Sequence, residues 1–287
     1  MPSAASIVPK RHIATFVYGP KRIPFHFWSK RAGDTAPDTI VFLGTGQIGR
    51  IPLWVAQSLP AGTIVVQGLP HWHSHASGND LEDFANAYAM CAHKTALETF
   101  DIRSLHLIGA SQGTPSTIWL ANQFQDSIGN VALLQPMGLN TSSFGNADRA
   151  RFQELRRRSL RTLLQFQQSV LHDFRNLYIT SVLMAVILAG LRHGATVNQY
   201  TAGISHSMLE QFEQLAKHQA KHHRSLTLFL GDKDRIFPVA EIRQALQTIP
   251  ADNIRVRIIP GLTHASLGLK AATSYLPSVV AAVRQKV

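Results

Sequence analysis

The amino-acid sequence predicts an α/β protein built on a mostly parallel sheet with helices on both faces. Three observations carry this. Several segments are apolar along their whole length, as in "DTIVFLGTG" (38–46), "GTIVVQGLP" (62–70) and "SLHLIGA" (104–110). Helical spacing follows them. The same alternation resumes near the end with "SLTLFLGD" (225–232) and "IRVRIIPG" (254–261). A strand that is apolar throughout is buried on both faces, which is the habit of parallel sheets covered by helices.

The elements follow in order. Residues 12–18 and 24–30 are apolar and β-prone, and they flank the turn signal Gly-Pro-Lys-Arg, so they predict a hairpin. The segment 38–46 is a strand that runs into a Gly-rich loop, and 50–58 is a helix. The strand 62–70 precedes a helix over 80–99, marked by Leu81, Phe84, Tyr88 and Cys91 at spacings of three to four. The strand 104–110, the helix 112–124 and the strand 130–136 come next. With 225–232 and 254–261, each followed by a helical pattern, the sheet has eight strands.

One block interrupts the alternation. From about 139 to 224 no strand is legible. Helical patterns run over 148–174, over the more apolar 177–192 and over 205–222. This reads as a helical cap or lid (139–224) inserted after the sixth strand of one core, made of 1–138 and 225–287.

Composition sets bounds. A chain of 287 residues suits one large α/β domain or two small ones. Its single cysteine, Cys91, excludes an intrachain disulfide and a cysteine-based zinc site. The longest apolar run, 179–191, falls short of the roughly 20 residues a membrane span needs. The first residues lack the apolar core of a signal peptide, so a cytoplasmic location is expected. The net charge of +11 favours acidic ligands or surfaces without choosing among them. No motif for RNA or DNA is present, and no nucleic-acid partner is expected.

The chemistry starts at "GASQG" (109–113), a Gly-x-Ser-x-Gly pattern between a predicted strand and a predicted helix. A sharp turn there lifts the Ser111 hydroxyl above the carboxyl edge of the sheet, at the N-terminus of a helix whose dipole favours negative charge. The bland alternative is a Gly-rich turn with Ser111 as a helix cap. A serine nucleophile needs a base, and the base an orienting acid. "LFLGDKDRIFP" places Asp234 just past one strand, and "IIPGLTHASLG" places His264 just past the last. All three fall on loops at one edge of the sheet, where open α/β sheets bind ligands. Asp232 lies immediately after its strand and suits a turn, so Asp234 is the favoured acid.

These residues resemble the α/β-hydrolase superfamily, in its branch with a helical cap. The resemblance covers about 11–287 and rests on Gly109-Ala110-Ser111-Gln112-Gly113, on Gly231-Asp232-Lys233-Asp234 with Phe237-Pro238, and on Gly261-Leu262-Thr263-His264. It implies Ser111 as nucleophile, His264 as general base and Asp234 as acid. It also implies an oxyanion hole from the backbone N–H of Gln112 and of Thr45 or Gly46. Many relatives have His-Gly at the end of the third strand, where this chain has Leu43-Gly44-Thr45-Gly46-Gln47. Thr114 stands where many relatives have a second glycine.

The implied reaction is acyl transfer without metal or cofactor. The expected substrate is a medium-sized, largely hydrophobic acyl compound: an ester, a thioester or a lactone. Amide cleavage and carbon–carbon cleavage of a diketone-like compound remain open, as does a silent binder or scaffold on the same fold. "PHWHSH" (70–75) raises a metal site through His71, His73 and His75, but no cysteine or carboxylate set completes it. Pocket lining is the preferred reading, with Trp72 as an apolar wall beside His71 and His73, and with Leu183 and Ile187 contributed by the cap. Over 140–224 eleven Lys/Arg oppose five Asp/Glu, so 11 − 5 = +6, and "RRRSLR" (156–161) is a basic stretch. It is read as a solvated face first and as a lure for an anionic or carrier-linked substrate second.

Overall fold

The computed structural model describes residues 8–31, 34–43, 53–68, 81–139, 153–154, 157–158, 161, 208–250, 253–264 and 271–285. Eight strands form one sheet: β1 (Lys10–Tyr18), β2 (Lys21–Lys30), β3 (Thr39–Phe42), β4 (Thr63–Val66), β5 (Leu105–Ala110), β6 (Ile128–Leu134), β7 (Leu226–Gly231) and β8 (Ile254–Ile259). Their order is β1-β2-β4-β3-β5-β6-β7-β8. The pairs β1–β2 and β2–β4 are antiparallel and the rest are parallel. The predicted hairpin, the strand count and the mostly parallel character all hold. Strand β3 ends at Phe42, within the apolar run that predicted it.

Strand residues alternate between two buried faces, as a period of two requires. On one face Ile40, Phe42, Ile64, Val66, Leu107 and Leu133 share a cluster with Phe84 and Tyr88 of α2 (Leu81–Phe100). Ile118 and Leu120 of α3 (Gly113–Gln123) join them. On the other face Val41, Val65, Ile108, Ala132 and Leu134 meet α1 (Leu53–Ser58) and Val279, Val280 and Val283 of the C-terminal helix. Both faces being covered is why these strands are apolar from end to end. The hairpin is tied in by rings: Phe16 packs edge-on to Phe84 and Tyr88, at 5.3 and 5.5 Å between centroids.

Within 139–224 the longest described element is helix α4, residues 208–221. It buries Met208, Phe212, Leu215 and Ala216 in the same cluster as β6 and β7. Two parallel neighbours need a crossover, and this helix lies on that path. The expected apolar helix at 177–192 falls outside the described residues. Upstream, Arg158 forks onto Glu241 of α5 (Val239–Leu246) at 2.9 and 3.0 Å and also bonds Glu154 at 2.8 Å. Arg157 shares Glu154, and the two arginines together hold its carboxyl down to about 2. Part of the basic stretch 156–161 is therefore matched by acids, and one of its arginines ties the segment to α5. The final helix is α6 (Ala271–Val283).

Candidate active site

The turn from β5 to α3 is built by what its glycines lack. A Cβ on Gly109 would stand 2.6 Å from Thr117 Oγ1, and one on Gly113 would run into the carbonyl oxygen of Phe42. Strand, turn and helix approach closely only because neither side chain exists. Thr117 fixes the helix start by donating to the Gly113 carbonyl at 2.7 Å. Between the glycines, Ser111 has φ of +51°, the left-handed region that non-glycine residues rarely enter. Its backbone N–H donates to Leu134 O at 2.9 Å, anchoring the turn to β6. No side chain caps α3, so the cap reading of Ser111 is not what the structure shows.

The Ser111 hydroxyl lies 2.8 Å from His264 Nε2. On the far side of the ring, Nδ1 lies 2.8 Å from Asp234 Oδ2. The second oxygen, Oδ1, accepts from the backbone N–H groups of Ile236 and Phe237 at 2.9 and 3.0 Å. An ionised carboxylate only accepts, so Nδ1 carries the proton and donates it to Oδ2. That leaves Nε2 as the acceptor facing Ser111. The Asp234 side chain is 1 % exposed and that of His264 15 %. Phe237 sets its ring edge-on to the imidazole at 5.0 Å, which restrains the ring plane. The sequence held Phe237 only as part of a motif, because apolar contact with a distant ring leaves no local signature.

Asp232 takes a different place. Its Oδ1 accepts from Gly261 N–H at 2.6 Å, bracing the turn that leads from β8 towards His264. It binds across to another loop rather than to its own. The two loops are tightly set against each other: a Cβ on Gly231 would collide with the Leu262 carbonyl and come within 2.7 Å of Gln135 Nε2.

Gln112 follows Ser111, is buried, and lines a pocket with Phe42, Leu43, Tyr88, Ala89 and Ser116. The walls come from the ends of β3 and α2, a side of the sheet the sequence reading had not used. Tyr88 is locked there by donating its hydroxyl to Gln67 O at 2.8 Å, and burial pushes its phenol well above the ordinary value. Thr45, Gly46, His71, Trp72, His73, His75, Leu183 and Ile187 lie outside the described residues. Among the described residues no group of three or more His, Cys, Asp or Glu could hold a metal, and no helix is long and apolar enough to cross a membrane.

The family model for the alpha/beta hydrolase fold matches residues 67–271. The chain belongs to this family. It is a hydrolase. No curated protein matches the sequence. Solved structures resemble the hydrolase over nearly its full length. An alpha/beta hydrolase enzyme from a Medee basin deep-sea metagenome library is 11 % identical, with a TM-score of 0.61 over 96 % of this chain and 98 % of that one. Naproxen esterase from Bacillus subtilis is 14 % identical, with a TM-score of 0.54 over 96 % and 92 %. A hydrolase from Pseudomonas aeruginosa PA01 is 14 % identical, with a TM-score of 0.57 over 93 % and 98 %. At these identities the likeness is one of fold.

Proposed function

We propose that this hydrolase is a serine esterase or thioesterase acting on a medium-sized, largely hydrophobic acyl substrate. The observation that carries the reading is the continuous relay from Ser111 Oγ through His264 to Asp234, each link 2.8 Å long. Ser111 attacks the carbonyl carbon while its proton passes to Nε2 of His264. The imidazolium that forms lies against the buried Asp234 carboxylate, which stabilises it and keeps the ring in register. The proton then goes to the departing alkoxide or thiolate. Water attacks the acyl-enzyme with His264 again as base, and the acid leaves.

The tetrahedral oxyanion falls at the N-terminus of α3, where the backbone N–H of Gln112 and of Thr45 or Gly46 would hold it. Phe42, Leu43, Tyr88 and Ala89 put an apolar wall beside Gln112, in keeping with a hydrophobic acyl group. In this reading 1–138, α4 and 225–287 form the core that supplies the chemistry, and the part of 139–224 before α4 is the cap that shapes the rest of the site, with Leu183, Ile187 and Trp72 as further walls.

A fluorophosphonate probe tests the reading directly. One equivalent of label on Ser111, with p-nitrophenyl ester and acyl-CoA turnover lost by roughly 10³-fold or more in Ser111→Ala, is the expected result. Labelling elsewhere, or near-normal turnover in Ser111→Ala, would remove the serine mechanism.

A further inference from the structure

The catalytic turn lies mid-sheet; the far edge carries a surface that hydrolysis does not use. Strands β1 and β2 form a hairpin whose inner residues, Phe16, Ile23, Phe25 and Phe27, are buried. Its outer face is Arg11, Ile13, Thr15 and Val17 on β1, opposite Trp28, His26, Pro24 and Arg22 on β2. Ile13 is 71 % exposed, Val17 59 %, and Val8 just before the strand 74 %. Pro24, beside Thr15, is exposed as well and completes an apolar stripe with an arginine at each end.

Charge around the stripe has one sign. Residues 1–33 contain six Lys/Arg, at 10, 11, 21, 22, 30 and 31, and no acid. An exposed apolar stripe with an arginine at each end, on a hairpin that carries cations and no acid, suits an interface with an anionic lipid surface. Cations meet headgroup phosphates, and branched side chains enter the acyl boundary. A nucleic acid would use the cations and leave Ile13, Val17 and Val8 in water or against phosphate. A second copy pairing along the open edge of β1 would bring like charges together.

The topology adds direction. β1 stands two antiparallel steps from β4, so it runs parallel to the catalytic strands, and the turn at 19–20 lies at the same edge of the sheet as Ser111. Four inter-strand steps separate β1 from β5, roughly 19 Å along the sheet. We propose that the outer face of the β1–β2 hairpin docks the enzyme on anionic lipid surfaces.

Co-sedimentation of the full chain with vesicles tests this. Phosphatidylcholine vesicles should bind little. Phosphatidylcholine–phosphatidylglycerol vesicles should bind well, less so as salt rises. Arg11→Glu with Arg22→Glu should weaken that binding by at least about 25-fold, about fivefold for each cation lost. Ile13→Ser with Val17→Ser should weaken it by about tenfold or more. Both double variants should keep hydrolysis of a soluble ester. Arg255→Glu with Arg257→Glu, on the opposite edge strand, supplies a charge-matched control that should retain most of the binding. An equal loss in that control would reduce the effect to net charge and overturn the proposal. So would unchanged binding in the Ile13 and Val17 variant. A dimer broken by the hairpin variants, or duplex DNA binding lost in them, would assign the face to those partners instead.

Discussion

Two serine–histidine pairs in this hydrolase invite comparison. Ser111 and His264 meet at 2.8 Å at the carboxyl edge of the sheet; Ser127 and His93 meet at 3.2 Å just before β6, at the opposite edge. In the second pair the serine already donates its proton to Phe124 O at 3.1 Å, so it accepts from His93 Nε2. His93 Nδ1 is buried with no partner among the described residues, and desolvation lowers the ring to about 4. It is a neutral ring that gives a proton to a serine and receives none. In the first pair a carboxylate claims the Nδ1 proton and leaves Nε2 free to accept from Ser111. A serine beside a histidine is thus not a mechanism. The group behind the ring decides which way the proton moves.

The most damaging way to erase this difference is Asp234→Asn. The amide no longer enforces the tautomer, and kcat should fall by roughly 10⁴-fold. Asp232→Asn, at the side chain that braces the Gly261 turn, should stay within a few-fold. Steady-state kinetics of both variants on one ester checks the assignment, and the reverse ranking would move the acid to Asp232.

Gly113→Ala should come next. It leaves the relay chemistry intact but drives a methyl into the Phe42 carbonyl, a backbone atom that cannot swing aside. Overpacking of this kind costs up to about 3 kcal/mol. Urea unfolding should show the loss, with labelling of Ser111 slowed because the turn shifts. A variant of full stability would show that the β3–α3 contact is looser than described.

The smallest expected effect belongs to His93. Its folded pKa of about 4 lies below the ordinary histidine value of 6.5. The unfolded chain therefore binds the proton more readily. The stability this group supports is complete above pH 6.5 and declines as pH falls towards 4. By pH 5.5 the decline is about 1 kcal/mol. In His93→Leu the fall in Tm between pH 7 and 5.5 should be shallower than in the wild type. An unchanged slope would place the acid sensitivity in other histidines, such as the half-buried His106, which desolvation also lowers.

Much of this was legible in the sequence because it is locally encoded. A buried strand declares itself by continuous apolar residues, and "GASQG" declares a turn because both glycines answer contacts made within a few residues or by the neighbouring strand. The order Ser111, Asp234, His264 could be read along the chain, since all three sit just past strand ends. The sequence favoured Asp234 over Asp232 only by its distance from the strand end. Two residues apart on one loop, they differ only in what the fold sets opposite each: an imidazole and two N–H groups for one, the Gly261 amide for the other. Nor could it place the apolar pocket beside Tyr88 and Ala89, or tell His264 from His93. Those distinctions depend on partners 29 to 153 residues away, and such pairings have no period, composition or spacing to betray them. Local physics determined the elements and the candidate residues; which hydrogen-bond donor or acceptor faces each one was decided only when the sheet brought its loops together.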